Sequence, residues 1–264
     1  MIDRKKLIIA NWKMHFNVSQ ASTLVANLHK NIQGRRDIEI VLAPPMLSLQ
    51  PIAQQIDHRK FRLAVQNAYH KDEGGFTGEV SFAMVREIVD YAIIGHSERR
   101  IYFGETNDDV RDKVAASIRN GIKPVICIGE TSTERAEGQT KQVIHDQLVT
   151  ALANVTSEEL NQVAIAYEPV WAISTFGGEK PDPDKIEKIF DYIRVQISEL
   201  YGVKASQNTR ILYGGSVDDQ NATSLINIKG CEGFVVGSAS INYHKFTSII
   251  DAVYKFNRTK NNGR

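Results

Sequence analysis

Four polar side chains suited to proton transfer stand just after short apolar runs of the chain. Asn11 and Lys13 follow the first run, and His96 and Glu168 follow two later ones. A carboxylate can remove a proton, an imidazole can donate a hydrogen bond to the resulting oxyanion, and an ammonium group can neutralise an anionic substrate. These residue types therefore indicate acid–base chemistry on a small anion.

Glu168 is the candidate general base. Pro169 favours an extended backbone at Glu168, and the residues on both sides, from Tyr167 to Ile173, are mostly apolar. Apolar walls strengthen a carboxylate as a base when bound substrate excludes water. For an isolated glutamate at the end of a strand, a plain surface position is the alternative.

His96 is the candidate electrophile. It precedes Ser97-Glu98-Arg99-Arg100, a stretch typical of a helix start. A helix N-terminus disfavours a cation, so we expect a neutral imidazole that donates a hydrogen bond to a carbonyl or enediolate oxygen. A structural histidine is the alternative. The His-x-Glu spelling also occurs in zinc deaminases, but the Pro-Cys-x-x-Cys partner is missing, and we expect no metal site.

Two turns rich in glycine and serine follow the last two apolar runs. Gly214 and Gly215 precede Ser216 in the first turn, and Gly237 precedes Ser238 in the second. Small residues leave backbone N–H groups free to surround a phosphate. Because they come after the seventh and eighth runs, where barrels of alternating strands and helices bind phosphate, we predict a phosphate site there.

The elements that must position these groups alternate regularly along the chain. Eight short runs are almost continuously apolar, as strands buried on both faces are; they are 7–11, 38–43, 63–66, 91–95, 124–128, 163–167, 210–213 and 233–236. Amphipathic stretches with helical spacing lie between them, such as 109–120 and 184–201. Ser19, Ser81 and Asp182 are predicted helix N-caps, and Gly121 and Gly202 are predicted to follow helix ends.

Eight alternations over about 250 residues predict a closed (β/α)8 barrel of parallel strands surrounded by helices. An open doubly wound sheet is the alternative, but the first strand ends in Asn-Trp-Lys and not in a G-x-G-x-x-G turn. We expect one barrel domain over residues 1–256 and a polar tail, 257–264, that is disordered.

Charge and composition exclude several classes of partner. The 264 residues include 32 Lys and Arg against 31 Asp and Glu, which leaves a net charge of +1 and no basic surface for nucleic acid. No apolar run approaches the roughly 18 residues of a membrane span, and we expect no membrane contact. Cys127 and Cys231 form no zinc or redox motif. With no signal sequence evident, we expect reduced thiols and a cytoplasmic protein.

Five motifs together resemble the triosephosphate isomerase family, and they run in order along nearly the whole chain. They are Asn11-Trp12-Lys13-Met14, Ile94-Gly95-His96-Ser97-Glu98-Arg99-Arg100, Cys127-Ile128-Gly129-Glu130, Ala166-Tyr167-Glu168-Pro169-Val170-Trp171-Ala172-Ile173 and Tyr213-Gly214-Gly215-Ser216-Val217. The resemblance implies a TIM barrel that interconverts dihydroxyacetone phosphate and D-glyceraldehyde 3-phosphate through an enediolate, in glycolysis and gluconeogenesis, without a cofactor.

The resemblance also implies roles for individual residues. Glu168 would move the proton and His96 would polarise the substrate oxygens, while Lys13 and Asn11 would bind and orient the substrate. Phosphate would be held by Lys13 and by the turns that contain Ser174, Ser216, Gly237 and Ser238. Supporting residues would be Glu98 beside Lys13, Glu130 as the partner of Trp171, and Ile173 and Val235 at the hinge and the wall.

Family members are usually homodimers in which the loop after the third strand enters the partner's active site. The resemblance therefore implies that Thr77, in the loop 74–79, approaches Asn11 and Lys13 of the other subunit.

This chain departs from the family spelling in two places near the predicted phosphate site. The mobile loop usually reads Trp-Ala-Ile-Gly-Thr-Gly-Lys, whereas here Ser174 and Phe176 replace the two glycines, and a glycine pair follows at 177–178. We expect the loop, 171–179, still to close. In addition, Ser238 replaces a glycine and Val235 replaces the leucine that presses on the catalytic carboxylate, which predicts a modestly weaker base.

Two other functions are compatible with the sequence. An isomerase of a longer phosphorylated ketose on the same scaffold could use the altered loop and the smaller Val235. A catalytically silent barrel used for binding is the second alternative, although Asn11, Lys13, His96 and Glu168 are all present.

Overall fold

The eight apolar runs form parallel strands in a computed structural model that describes residues 4–32, 37–178 and 181–262. The strands are β1 (Lys6–Asn11), β2 (Ile38–Ala43), β3 (Arg62–Val65), β4 (Tyr91–Ile94), β5 (Lys123–Ile128), β6 (Ala164–Tyr167), β7 (Arg210–Tyr213) and β8 (Gly233–Val236). Each strand pairs in parallel with the next, and β1 also pairs with β8, which closes the barrel. The predicted (β/α)8 barrel is confirmed.

Helices connect consecutive strands in the described ranges. They are α1 (Val18–Asn31), α2 (Met46–Gln55), α3 (Phe82–Val85), α4 (Ser97–Phe103), α5 (Asn107–Arg119), α6 (Ser132–Ala136), α7 (Thr140–Leu152), α8 (Pro183–Tyr201), α9 (Val203–Asn208), α10 (Ala222–Asn227) and α11 (Tyr243–Asn262). Short 3-10 turns cover Glu159–Gln162, Val170–Ala172 and Ser238–Ile241. None of these helices is both long enough and apolar enough to cross a membrane.

Both faces of each strand are largely buried, which explains why the runs are almost continuously apolar. In β1, Leu7 and Ile9 belong to the cluster inside the barrel, whereas Ile8 and Ala10 belong to the cluster between the barrel and its helices. Alternate residues of a strand point to opposite faces, so a strand with two apolar environments shows no polar alternation.

A polar cluster occupies the barrel at the amino ends of the strands. Arg210 donates hydrogen bonds to Glu39 Oε2 and to the Tyr91 hydroxyl, each over 2.9 Å. Although burial opposes ionisation of Glu39, the Arg210 guanidinium lowers the pKa of that carboxyl below its usual value. This end of the barrel is filled by paired side chains, so a ligand must enter from the carboxyl ends.

The predicted helix boundaries are mostly confirmed. Ser81 caps α3 and Asp182 caps α8, with Pro183 at the first helical position, and Gly121 and Gly202 follow helix ends. The prediction for Ser19 is wrong: α1 begins two residues earlier.

The true cap of α1 is Asn17. Its side chain accepts a hydrogen bond from the Gln20 amide, while the Gln20 side chain accepts one from the Asn17 amide. This reciprocal capping box satisfies two backbone donors that Ser19 could not satisfy together.

The carboxyl-terminal helix extends farther than the sequence suggested. α11 continues through Asn262, so residues 257–262 are helical where we expected a disordered tail. The Asn257 side chain donates to the Asp37 carbonyl over 3.2 Å, which ties this part of the helix to the segment before β2. Polarity lowers the gain from burial but does not prevent a helix from propagating its backbone hydrogen bonds. Residues 263–264 lie outside the described ranges.

Candidate active site

The carboxyl ends of the strands surround one pocket, and most of the predicted site residues lie there. The predicted residues that line it are Asn11, Lys13, His96, Ile173, Ser174, Ser216, Val235, Gly237 and Ser238. They come from the ends of β1, β4, β7 and β8 and from the loop after β6. Barrel closure brings together groups that are far apart in the sequence.

Glu168 lies directly after β6 and is almost completely buried, with 1% of its surface exposed. Its amide donates to the Ile128 carbonyl over 2.7 Å, and its Oε2 accepts from the Ser97 amide over 3.2 Å. Its Oε1 lies 3.6 Å from His96 Nε2 and accepts no N–H or O–H within the described part of the chain. A buried carboxylate oxygen is thus free beside an imidazole.

Gly214 makes this position of Glu168 available. A Cβ atom on Gly214 would stand 2.6 Å from Glu168 Cγ, which is too close for two carbon atoms. The absence of a side chain at Gly214, directly after β7, therefore leaves room for the Glu168 side chain as well as for the turn.

His96 caps α4 through its own ring. Its Nδ1 accepts the Glu98 amide over 3.2 Å, so this nitrogen is unprotonated and the proton of a neutral ring lies on Nε2. The Nε2–H faces Glu168 Oε1 and the pocket. The helix start thus sets both the orientation and the tautomer of the ring.

Lys13 adopts a left-handed backbone conformation, with φ at 51°. Its amide donates to Asn11 Oδ1 over 3.1 Å, and its carbonyl accepts from Gln66 Nε2 over 2.9 Å. The same Gln66 nitrogen also donates to the Ala43 carbonyl at the end of β2. Such a conformation costs about 1–3 kcal/mol at a residue other than glycine and persists only where the surroundings impose it.

The Lys13 ammonium is paired at the mouth of the pocket. Its Nζ lies 2.6 Å from Glu98 Oε1, and both groups contact the Thr175 hydroxyl, which donates to Glu98 over 3.2 Å and accepts from Lys13 over 3.4 Å. Burial opposes ionisation of Glu98, but the bond and charge of Lys13 outweigh it and lower the pKa of the carboxyl. Glu98 therefore holds Lys13 as an ion pair.

Glu130 lies under the first residues of the mobile loop. It accepts from Trp171 Nε1 over 2.9 Å and from the Tyr167 hydroxyl over 3.2 Å, and Arg135 stacks 3.6 Å from the Trp171 ring. Burial raises the pKa of the Glu130 carboxyl, although these hydrogen bonds partly offset that effect.

The loop after β6 accommodates Ser174 and Phe176 without backbone strain at these two residues. Ser174 and Phe176 have negative φ values, and the left-handed positions fall on Gly177 and Gly178, with φ at 149° and 66°. Gly177 and Gly178 therefore supply the positive φ values that glycines at positions 174 and 176 could have adopted. Glu179, the last residue of the predicted loop, lies outside the described ranges.

Thr77 is placed apart from the pocket of its own chain. It lies in an exposed loop whose aromatic residue, Phe76, packs on Tyr69 with ring centroids 4.6 Å apart. Within a single chain the structure does not bring Thr77 together with Asn11 and Lys13.

Several contacts of the site escaped the sequence analysis. The Ser97 amide on Glu168, the Gln66 amide on Lys13 and the Thr175 hydroxyl on the Lys13–Glu98 pair each join segments far apart in the chain. Gln66 alone carried a usable indication, since it directly follows β3 and so had to lie at the same end of the barrel.

The thiol nearest the site is inert. Burial, and then the charge of Glu168, raise the pKa of Cys127, so it stays a neutral thiol behind the carboxylate. Within the described ranges, His, Cys, Asp and Glu side chains form no group of three or more that could hold a metal ion.

The chain is similar to known proteins along nearly its whole length. The family model described as triosephosphate isomerase matches residues 6–253. A triosephosphate isomerase of Carboxydothermus hydrogenoformans is 39% identical over 248 residues, which cover 94% of this chain and 98% of the relative. Those of Dehalococcoides mccartyi and Alkaliphilus oremlandii are also 39% identical, and cover 93% and 94% of this chain and 95% and 99% of their own lengths. The chain therefore belongs to the triosephosphate isomerase family.

Proposed function

We propose that this chain interconverts dihydroxyacetone phosphate and D-glyceraldehyde 3-phosphate, with Glu168 and His96 acting on the reacting atoms. The observation that carries the proposal is the pair formed by Glu168 Oε1 and His96 Nε2, 3.6 Å apart beside the pocket that contains Lys13. The reaction transfers protons with no net oxidation, so these side chains suffice and no cofactor is needed. The family comparisons do not favour the longer ketose as an alternative substrate.

Glu168 takes the proton from one substrate carbon and returns it to the next. Its buried position keeps water away from the carboxylate, and a less hydrated carboxylate is a stronger base. The Ser97 amide holds Oε2, and Oε1, which accepts no N–H or O–H among the described residues, is the oxygen available to the substrate proton.

His96 donates a hydrogen bond from its Nε2–H to the oxygen on which negative charge develops. The Glu98 amide occupies Nδ1, so the proton of the neutral ring lies on Nε2, from which it can reach this oxygen. Asn11, buried beside Lys13, helps to orient the same oxygens.

The phosphate group is held by one ammonium and by small residues around it. Lys13 supplies the charge, and the turns at Ser174, Ser216, Gly237 and Ser238 line the same pocket. The Ser216 hydroxyl oxygen is buried without a partner among the described residues, which leaves it available to a ligand oxygen. We expect the loop 171–179 to close over this phosphate, and a structure with bound 2-phosphoglycolate and an open loop would contradict this.

The active unit is a homodimer. Met14, next to Lys13, has 95% of its surface exposed, and the loop 74–79 projects Phe76 and Thr77 outward. The family resemblance, in which the loop after the third strand enters the partner's active site, supports this proposal. Thr77 then approaches Asn11 and Lys13 of the other subunit. Sedimentation should report a dimer, and a Thr77→Arg variant should lose association and activity together.

We place the enzyme in the cytoplasm, in keeping with two buried, unpaired cysteines. The decisive experiment is a coupled assay of the purified chain with both triose phosphates and with a four-carbon ketose phosphate. Turnover of the triose phosphates supports the proposal. Preference for the four-carbon sugar favours an isomerase of a longer phosphorylated ketose. Absence of any turnover favours a catalytically silent barrel used for binding.

A further inference from the structure

The loop over the pocket carries an aromatic side chain, Phe176, at a position where the family usually has glycine. The Phe176 ring lies 5.7 Å from the Tyr102 ring, centroid to centroid, with the planes inclined by 32°. Tyr102 lies on α4, the helix whose first turn contains Glu98 and is capped by His96, and 60% of its surface is exposed. The loop therefore rests on the element that positions the site.

Phe176 and Ser174 belong to the same turn of the loop. The Ile173 carbonyl accepts from the Phe176 amide over 2.8 Å and from the Gly178 amide over 3.1 Å, so residues 173–178 form one compact turn. Ser174 lies in this turn and lines the pocket beside Lys13. Anchoring the Phe176 ring on α4 therefore anchors Ser174 at the phosphate site.

A hydrogen-bonded contact of this turn with the site depends on charged groups. Thr175 reaches the Lys13–Glu98 pair, and a bound phosphate competes for the Lys13 ammonium. The aromatic contact carries no net charge and is not exposed to this competition. It therefore holds residues 173–178 beside the pocket independently of the Lys13–Glu98 pair.

We propose that Phe176 and Tyr102 are positioning residues for the proposed isomerase reaction, since their contact holds the loop over the pocket. This inference depends on the proposed function. An aromatic pair of this kind corresponds to about a two- to tenfold change in an equilibrium constant. Loss of the contact lowers the fraction of chains with a docked loop, and the affinity for ligand falls by the same factor. Ser174 lies at the proposed phosphate site and not at the Glu168–His96 pair, so loss of the contact should act on KM more than on kcat.

The test is a double-mutant cycle with Phe176→Ala, Tyr102→Ala and the double variant, and calorimetry gives the dissociation constant of 2-phosphoglycolate for each. Each single variant should bind more weakly, by at most about tenfold because the docked fraction falls no further than the docking constant does, and the double variant no more weakly than the weaker single one. Tyr102→Phe keeps the ring and should bind like the wild type. The unfolding midpoint of each variant separates loss of the contact from loss of the fold.

Unchanged affinity in either single variant, or fully additive effects in the double variant, would overturn the inference. A fall in kcat with an unchanged KM would do so as well, since it would mean damage to the reacting groups. Calorimetry needs no turnover. A wild-type chain that is inactive on triose phosphates would therefore refute the proposed function, while the comparison of affinities would still decide the role of Phe176 and Tyr102.

Discussion

Replacing Gly214 by alanine should reduce catalysis without unfolding the protein. The added methyl group would stand 2.6 Å from Glu168 Cγ and 3.3 Å from Glu168 Oε1. Carbon atoms in contact need about 3.5 Å or more, so the Glu168 side chain must retreat by roughly 1 Å. Gly214 has no left-handed φ value, so alanine introduces no backbone strain there. The perturbation acts on the position of the proposed base.

The expected loss is large because proton transfer depends on geometry. A misplacement of about 1 Å lowers a rate by about 100-fold, which corresponds to about 2.7 kcal/mol in the activation barrier. The proposed phosphate contacts at Lys13, Ser216 and Gly237 are not displaced, so KM should change little. The coupled isomerase assay gives both constants from one series of substrate concentrations.

Gly121→Ala is the matched control. Gly121 has φ at 73° and open space around it, so alanine there strains the backbone by about 1–2 kcal/mol without reaching the site. This variant should lower the unfolding midpoint and leave kcat unchanged, the opposite of Gly214→Ala. A Gly214→Ala enzyme with kcat within threefold of the wild type would refute the argument that this glycine sets the position of Glu168.

Three further predictions concern the same end of the barrel. Glu168→Gln should abolish isomerisation while 2-phosphoglycolate still binds within about tenfold of the wild type, and retained turnover would overturn the assignment of the base. Val235→Leu should raise kcat modestly, because a larger side chain excludes more water from Glu168; an unchanged or slower enzyme would contradict this. Glu130→Gln should raise the unfolding midpoint at pH 7. Burial raises the pKa of Glu130 above its usual 4.5. The folded protein is therefore stabilised while Glu130 is protonated, and it loses that stability as pH rises through the folded pKa. Glutamine stays neutral at pH 7 and avoids this loss. The gain should disappear below about pH 4.5, and a less stable variant at pH 7 would refute it.

Much of the fold could be predicted because its causes are local. A strand buried on both faces, such as β1, needs apolar residues on both, and that requirement is visible in four consecutive letters, Leu7 to Ala10. Asp182 followed by Pro183 is likewise a local indication of a helix start. The prediction failed at Ser19 because Asn17 and Gln20 cap α1 as a pair, and it failed at 257–262 because polarity alone does not end a helix.

The sequence by itself determined the alternation that produces the barrel, the side chains at the strand ends and the family to which the chain belongs. Only the tertiary structure decided which of these groups touch. The Ser97 amide meets Glu168 across 71 positions of sequence, and Phe176 meets Tyr102 on a helix that precedes it by two strands. The spacing of apolar residues reports burial along one element, whereas such contacts depend on how the strands are arranged around the closed barrel and on the rotamers that neighbouring elements permit.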